Sequence, residues 1–155
     1  MTGATRRVFE GLPELEKAVG SHLGYSSWHA LTQRQINLFA DATGDHQWIH
    51  VDLRRAASGP FGSPIAHGFL TLSLLASLVP EVYQVRGVSM GVNYGLNKVR
   101  FPTPVASGSR VRAGVELISV RPGLSGVQVT ARVTVEVAGA PKPACVAESI
   151  SLLVP

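Results

Sequence analysis

The sequence predicts an α+β fold in which an antiparallel sheet wraps around one buried central helix. The stretch from residue 66 to 79 is almost entirely apolar, as expected of a helix that is buried around most of its circumference. Its leucines recur at helical spacing: Leu70, Leu74, Leu75 and Leu78. Three later segments alternate apolar with polar residues, as strands with one buried face do: 88–96, 111–117 and 127–137. Short turns at 122–123 and 138–141 favour antiparallel neighbours.

The alternation along the strands also predicts two details of the sheet. It changes parity between Leu96 and Val99, which indicates a β-bulge at that point. The last strand is expected over residues 144–153. An open sheet of this kind leaves an edge strand unpaired, which favours aggregation unless another surface covers the edge.

The length and composition indicate a single domain over residues 1–155. A chain of 155 residues buries most of the surface that it would expose when unfolded. Only 15% of the residues are charged and the apolar content is ordinary for a globular protein, which argues against disorder. The formal net charge is +4, but the basic residues are scattered, so we expect no nucleic-acid partner.

The distribution of apolar residues and cysteine predicts a cytoplasmic protein without a membrane partner. The N-terminus has charge but no apolar core after it, so we expect no signal peptide. The longest apolar run, 69–80, is too short to span a bilayer. Cys145 stands alone, which excludes a disulfide framework and predicts a small buried side chain. No metal site is expected, because His22, His29 and His46 lack a carboxylate or cysteine at ligand spacing.

The first third of the chain is predicted to present a loop that follows Gly44. The expected elements before it are a loose lead-in over 1–12, a helix over 13–19 and a strand over 25–31. Thr32 and Gln35 match a capping box, in which each side chain bonds the other residue's free backbone N–H. The amphipathic helix after them ends at Gly44, since glycine adopts the left-handed conformation at little steric cost.

Asp45 and His50 are the candidate catalytic residues in this loop. Residues five apart point about 140° away from each other on a helix and lie on opposite faces of a strand. The two side chains therefore meet at one ligand only if residues 44–50 are irregular. The alternative is structural, because an Asp after a helix often satisfies a turn and a loop His is often solvated.

Together with the segment Ile65-Ala66-His67-Gly68, this loop resembles the MaoC-like (R)-specific enoyl-CoA hydratases, also called hydratase 2. Asp45 and His50 match the family pattern, while Gln47 and Trp48 replace its Asn and Pro. That departure concerns the local backbone and the acyl pocket more than the chemistry. The likeness continues through residues 92–105. The resemblance implies a hot-dog fold, a homodimer, an acyl-CoA substrate and no cofactor beyond the coenzyme A of that substrate.

The implied reaction is the reversible hydration of a (2E)-enoyl-CoA to the (R)-3-hydroxyacyl-CoA. Water must be deprotonated as it attacks C3, a proton must reach C2, and the thioester oxygen must carry negative charge meanwhile. We assign Asp45 and His50 jointly to the first two tasks, and the sequence leaves open which is base and which is acid. By resemblance, the amide of Gly68 at a helix N-terminus donates to the thioester oxygen, which approaches closely because glycine has no Cβ.

Further residues are assigned to substrate binding: Gln47, Ser63, Ile65, His67, Asn97, Lys98 and Arg100. Among these, Lys98 and Arg100 are candidates for the coenzyme A phosphates, with Arg110 and Arg112 on a neighbouring strand. A solvated sheet face explains the same cations equally well. We expect Trp48 to pack, and Asp52 to cap or pair locally rather than to react.

Two other functions use a similar site. An acyl-CoA thioesterase would hydrolyse the same class of ligand, and a non-catalytic subunit would only bind it. The Asp-x4-His loop is explained specifically by the hydratase reaction, and hydration removes the enoyl absorbance without releasing thiol. The sequence leaves open the acyl chain length, the physiological direction, and whether an acyl carrier protein replaces coenzyme A.

Overall fold

The computed structural model describes residues 5–155 of the chain. Its strands are β1 Arg7–Phe9, β2 His22–Tyr25, β3 His29–Ala30, β4 Tyr83–Val85, β5 Met90–Arg100, β6 Arg110–Pro122, β7 Val127–Val137 and β8 Cys145–Val154. Its helices are α1 Leu12–Lys17, α2 Gln33–Thr43, α3 Trp48–Val51, α4 Leu53–Ala57, α5 Gly68–Ser73 and α6 Leu75–Val82.

The main sheet is antiparallel and has the strand order β2-β6-β7-β8-β5, with β3 also paired to β6. One face of β6 and of β7 is buried, and the sheet packs on α5 and α6 through β2, β6 and β8, so that it wraps around the helical segment as predicted. The buried side chains of β7 show the alternation clearly: Val129, Ala131, Val133, Val135 and Val137. The predicted bulge is confirmed, because the register of β5 against β8 shifts between Leu96 and Val99.

The central helix is α5 followed directly by α6. They meet at Leu74, whose backbone remains right-handed helical (φ −65°, ψ −15°). A helix buried around most of its circumference was the expectation, and it is wrong: Leu78 is buried in the core, but Phe69 is 70% exposed. Pro80 does not end the helix either, because α6 continues to Val82. Pro80 has no N–H to donate, but the helix continues because the buried side chains of Leu78 and Val82 hold its last turn against the core.

The N-terminal region differs from the prediction in two places. Instead of a loose lead-in, β1 pairs in parallel with β4, while residues 1–4 lie outside the described part of the chain. Instead of one strand over 25–31, β2 and β3 pair separately with β6. Between them the buried Ser26 hydroxyl accepts a hydrogen bond from the Ala113 amide (2.9 Å), which replaces part of the ladder.

The predicted capping box of α2 is confirmed. The Gln35 amide donates to Thr32 Oγ1 (3.2 Å), and the Thr32 amide donates to Gln35 Oε1 (2.9 Å). At the other end, Gly44 has a positive φ of 80° and its amide donates to the Ala40 carbonyl (2.8 Å). The sequence therefore determines both ends of the helix that delivers Asp45.

The position of β5 corrects the expectation about the arginines of β6. β5 lies at the edge of the sheet and pairs with β8, so two strands separate it from β6. Arg110 and Arg112 are therefore not neighbours of Lys98 and Arg100. Arg112 instead lies over the ring of Tyr25 (4.1 Å to its centroid) and pairs with Glu136.

Cys145 is fully buried in the core, as predicted. Burial raises the pKa of its thiol to about 11, so the side chain acts as a small apolar group. None of the helices in residues 5–155 is long and apolar enough to cross a membrane.

Leu78→Ala should lower the free energy of unfolding by about 2–5 kcal/mol, because it leaves a cavity between α6 and the sheet. Leu38→Ala makes the same substitution on α2, where the leucine is 57% exposed. It should change the free energy of unfolding by about 0.5 kcal/mol or less. Urea denaturation followed by circular dichroism measures both. An equal cost for the two variants would contradict the placement of α6 in the core.

Candidate active site

The chain turns sharply between α2 and α3. Residues 44–47 are irregular, and Asp45 closes the turn by accepting a hydrogen bond at Oδ1 from the Gln47 amide (3.3 Å). The expectation that irregular backbone extends to His50 is wrong, since His50 lies within the single turn of α3. The change of direction between the two helices nevertheless brings both side chains to one place.

Three ionisable side chains converge there: Asp45, His50 and His67 each offer one polar atom, and these atoms all lie within 4.8 Å of one another. His50 and His67 are 6% and 3% exposed, whereas Asp45 is open to solvent. The predicted meeting of Asp45 and His50 is therefore present in the structure. His67 was expected at the site among the substrate-binding residues, but its direct contacts with Asp45 and His50 were not predicted, because nothing in the sequence shows that a residue 22 positions away returns to Asp45.

The hydrogen bonding of His50 defines its tautomer. Its Nδ1 lies 2.7 Å from the Ile65 carbonyl oxygen, which can only accept, so Nδ1 bears the proton. In the neutral ring, Nε2 is then a free base. Burial lowers the pKa of His50, and the neighbouring His67 lowers it further. The ring is consequently neutral at pH 7 and able to accept a proton.

His67 contacts both other members of the cluster. Its Nε2 donates to the backbone carbonyl of Asp45 (3.0 Å), and its ring stacks on that of His50 with centroids 3.9 Å apart and planes 25° apart. Phe39 packs on it as well, at 4.9 Å between ring centroids. Within residues 5–155, the buried Nδ1 of His67 has no hydrogen-bond partner.

Gly68 begins α5, directly after His67. The first bond of that helix runs from the Thr71 amide to the His67 carbonyl (3.1 Å), so the amide of Gly68 has no acceptor within the helix. A Cβ built on Gly68 would lie 3.1 Å from Cδ2 of Phe101. The missing side chain therefore makes room for the Phe101 ring, which corrects the expectation that it leaves an open approach for a thioester.

A cavity of about 350 Å³ lies against Gly68. Its wall is mainly apolar and includes Phe61, Ile65, Phe101 and Val105. Asp45 and His50 do not line it; the segment 65–68 separates it from them, with Ile65 and Gly68 on the cavity side and the His67 ring against His50. A second, larger cavity of about 570 Å³ lies between α6 and β5 and includes Leu72, Val79 and Tyr94.

The other predicted substrate-binding residues lie at different distances from the cluster. Gln47 adjoins it through the turn at Asp45, and the Ser63 hydroxyl donates to the Pro64 carbonyl in the segment that leads to Ile65. Asn97 is not brought to it, because its amide donates to Glu148 on the outer face of the sheet (3.4 Å). Lys98 and Arg100 are exposed near the end of β5.

The replacement of Asn-Pro by Gln47-Trp48 is accommodated outside the cluster. The Trp48 ring packs so closely on Gly59 that a Cβ there would lie 2.9 Å from it, and the Arg55 guanidinium lies over the ring at 4.2 Å. Asp52 caps α4 by accepting from the Arg55 amide (3.0 Å). The predictions that Trp48 packs and that Asp52 caps are both confirmed.

The surface histidines have acidic partners that the sequence did not indicate. His46 lies 2.9 Å from Asp41, and this hydrogen bond raises the pKa of His46, while His29 lies 2.6 Å from Glu81. These are pairs, not metal cages. In the described part of the chain, the cluster of Asp45, His50 and His67 is the one group of three potential metal ligands, and the expectation that it binds no metal stays a prediction.

Comparison with known proteins identifies the family. The model of the MaoC-like domain family matches residues 14–138. The 3-hydroxyacyl-thioester dehydratase Z of Mycobacterium tuberculosis is 59% identical over 93% of this chain and 96% of its own. Nodulation protein N of Rhizobium meliloti is 46% identical over 91% of this chain and 89% of its own.

A solved structure agrees with this result. The (R)-hydratase from Aeromonas caviae involved in PHA biosynthesis superimposes with a TM-score of 0.71 at 25% identity, covering 88% of this chain and 96% of that one. The predicted hot-dog fold is confirmed by such neighbours. Because the family model matches most of the chain, residues 14–138, and a 3-hydroxyacyl-thioester dehydratase is 59% identical to it, the chain belongs to the MaoC-like dehydratases, a family of hydro-lyases.

Proposed function

We propose that this enzyme interconverts a (2E)-enoyl thioester and the (R)-3-hydroxyacyl thioester by reversible addition of water. The observation that carries the proposal is the neutral His50 imidazole, with Nε2 free, beside the Asp45 carboxylate. The names of two relatives support it, a 3-hydroxyacyl-thioester dehydratase and an (R)-specific enoyl-CoA hydratase.

In the hydration direction, one water molecule bridges Asp45 and His50. Asp45 accepts one hydrogen bond from the water and orients it, while His50 Nε2 accepts a proton as the oxygen attacks C3. His50 then returns that proton to C2, so the imidazole ends the cycle neutral, with the proton of the added water on C2 and its hydroxyl on C3. Because both groups lie on one side of the substrate, the addition is syn. Each positioned proton transfer contributes about 10²- to 10⁴-fold.

Negative charge on the thioester oxygen requires a donor on the other side of the reacting carbons. We assign this role to the amide of Gly68, which has no acceptor within α5 and lies at the positive end of the central helix. Lys98 and Arg100 stay candidates for the coenzyme A phosphates, since the strand that bears them leads to Phe101 beside Gly68.

We also propose that two copies of the chain form a homodimer through β5. Every residue of β5 except Val99 is exposed, although the strand includes the large apolar side chains of Met90 and Tyr94. Phe69 on the central helix faces solvent as well. An uncovered edge strand with apolar side chains tends to associate with another edge. A second copy of the same edge covers it symmetrically.

Asp45→Asn and His50→Gln should each lower kcat for hydration of crotonyl-CoA by about 10²- to 10⁴-fold, because each removes one partner of the water. Loss of the enoyl absorbance measures the rate, and a thiol reagent measures free coenzyme A. Asp41→Asn and His29→Gln make the same substitutions at surface pairs and should leave kcat unchanged. Thiol release by the parent enzyme would favour a thioesterase, and binding without turnover would favour a non-catalytic subunit.

The rate of hydration should depend on pH through His50. Its pKa is lowered below 6.5, so the basic, active form persists through neutral pH, and kcat/KM, which reports the free enzyme, falls only as the pH drops through the lowered pKa. A profile of kcat/KM from pH 4.5 to 8 measures this. A fall that begins above pH 7 would contradict a buried, neutral His50 as the base.

Sedimentation equilibrium should give twice the mass of one chain. Tyr94→Lys should reduce it to one chain, because facing lysines at the paired edges repel each other. Leu124→Lys introduces the same charge at a fully exposed leucine between β6 and β7 and should leave the mass unchanged. A monomeric parent protein would overturn the homodimer without affecting the assignment of Asp45 and His50.

A further inference from the structure

His67 lies where it joins the two reacting side chains. It is the residue immediately before α5, it is almost completely buried, and it belongs neither to the α2–α3 turn nor to α3. One ring contacts Asp45 at its edge and His50 on its face. Any displacement of this ring therefore changes the position of both other groups.

The contact with Asp45 fixes the backbone of the turn. The Asp45 amide donates to Thr43 Oγ1, and the Asp45 carboxylate accepts from the Gln47 amide; both bonds are local and measure 3.3 Å. The bond from His67 Nε2 to the Asp45 carbonyl is shorter, at 3.0 Å, and ties the turn to a segment 22 residues away. It thereby locates the Cα from which the carboxylate projects.

The contact with His50 fixes the direction of its free nitrogen. The Ile65 carbonyl holds one edge of the His50 ring, and the stacked His67 ring covers one face at 3.9 Å. These two constraints oppose rotation of the ring about its side-chain bonds. Nε2 then keeps one direction relative to Asp45, as proton transfer to a bound water requires.

We propose that His67 is a positioning residue, which holds the Asp45 backbone and the His50 ring in the arrangement that one water molecule needs. This inference rests on the proposed hydration chemistry, but it concerns a residue that contacts the two groups and not the reacting atoms. The buried Nδ1 of His67, which has no partner among residues 5–155, supports it. A buried acceptor without a donor lowers stability, so a contribution to stability alone does not explain a histidine at this position.

The stacking also has an electrostatic consequence. The ionisable groups that face His67 are Asp45 and His50. Two stacked, buried imidazoles repel each other when both are charged. The pKa of His50 is therefore lowered by its burial and also by its neighbour His67. Replacement of His67 by an uncharged side chain should therefore raise the pKa of His50.

Two substitutions separate the two contacts. His67→Gln keeps an N–H donor near the position of Nε2 but removes the ring, and His67→Phe keeps a stacking ring but removes the donor. We expect kcat for crotonyl-CoA to fall by about a hundredfold in each, with little change in KM. The acid limb of the pH profile should move to higher pH in both variants. His29→Gln is the matched control and should change neither quantity.

A second readout does not depend on activity. In ¹⁵N-histidine-labelled protein, the resonance of His50, identified by its loss in His50→Gln, gives its titration directly. His50 should titrate at higher pH in both His67 variants, in folded proteins whose unfolding midpoints in urea are close to that of the parent. An unchanged His50 titration, or parental kcat and acid limb in both variants, would overturn the positioning role. If the parent protein were inactive and the His50 titration still moved in the two His67 variants, only the hydratase assignment would be refuted.

Discussion

The hydrogen bond from His50 Nδ1 to the Ile65 carbonyl is the contact on which the rest of the site depends. It determines which ring nitrogen is free, because the carbonyl accepts and thereby keeps the proton on Nδ1. It also ties α3 to the segment that begins the central helix. The bond therefore fixes the position of His50 relative to His67 and Gly68, which follow Ile65 in the chain.

The surrounding fold holds both partners of this bond in place. The Ile65 amide donates to the Ile49 carbonyl (3.0 Å), and the Ala66 amide donates to the Val105 carbonyl (2.8 Å), so the segment is held from both sides. From the other direction, Gln33 in α2 donates to the His50 carbonyl (2.8 Å). The core beneath α5 and α6 anchors the start of the helix. Polar contacts thus position the site, while apolar burial keeps their supports in place.

Much of this arrangement could be predicted from local pattern. The capping box at Thr32, the glycine end of α2 at Gly44 and the bulge after Leu96 all follow from short-range chemistry, and each is present. The meeting of Asp45 and His50 was expected from the motif that resembles the MaoC-like hydratases, although residues 48–50 are helical where irregular backbone was expected.

What could not be predicted depends on contacts between distant segments. His67 stacks on His50 only because the start of α5 returns to α3, and β5 lies far from Arg110 only because β7 and β8 lie between β5 and β6. The exposed face of the central helix was missed for a related reason: an apolar pattern predicts burial, but it does not show which side chains the sheet reaches. Phe101 over Gly68 is likewise a tertiary contact between two motifs that the sequence separates.

The stereochemistry of hydration in heavy water tests the central claim most directly. Crotonyl-CoA incubated with the enzyme in D₂O should give the (R)-3-hydroxy product with one deuterium at C2, on the same face as the new hydroxyl, as measured by NMR of the isolated acyl group. That result is required if Asp45 and His50 act on one water from one side. Anti addition, deuterium on both faces at early conversion, or the (S) product would contradict it.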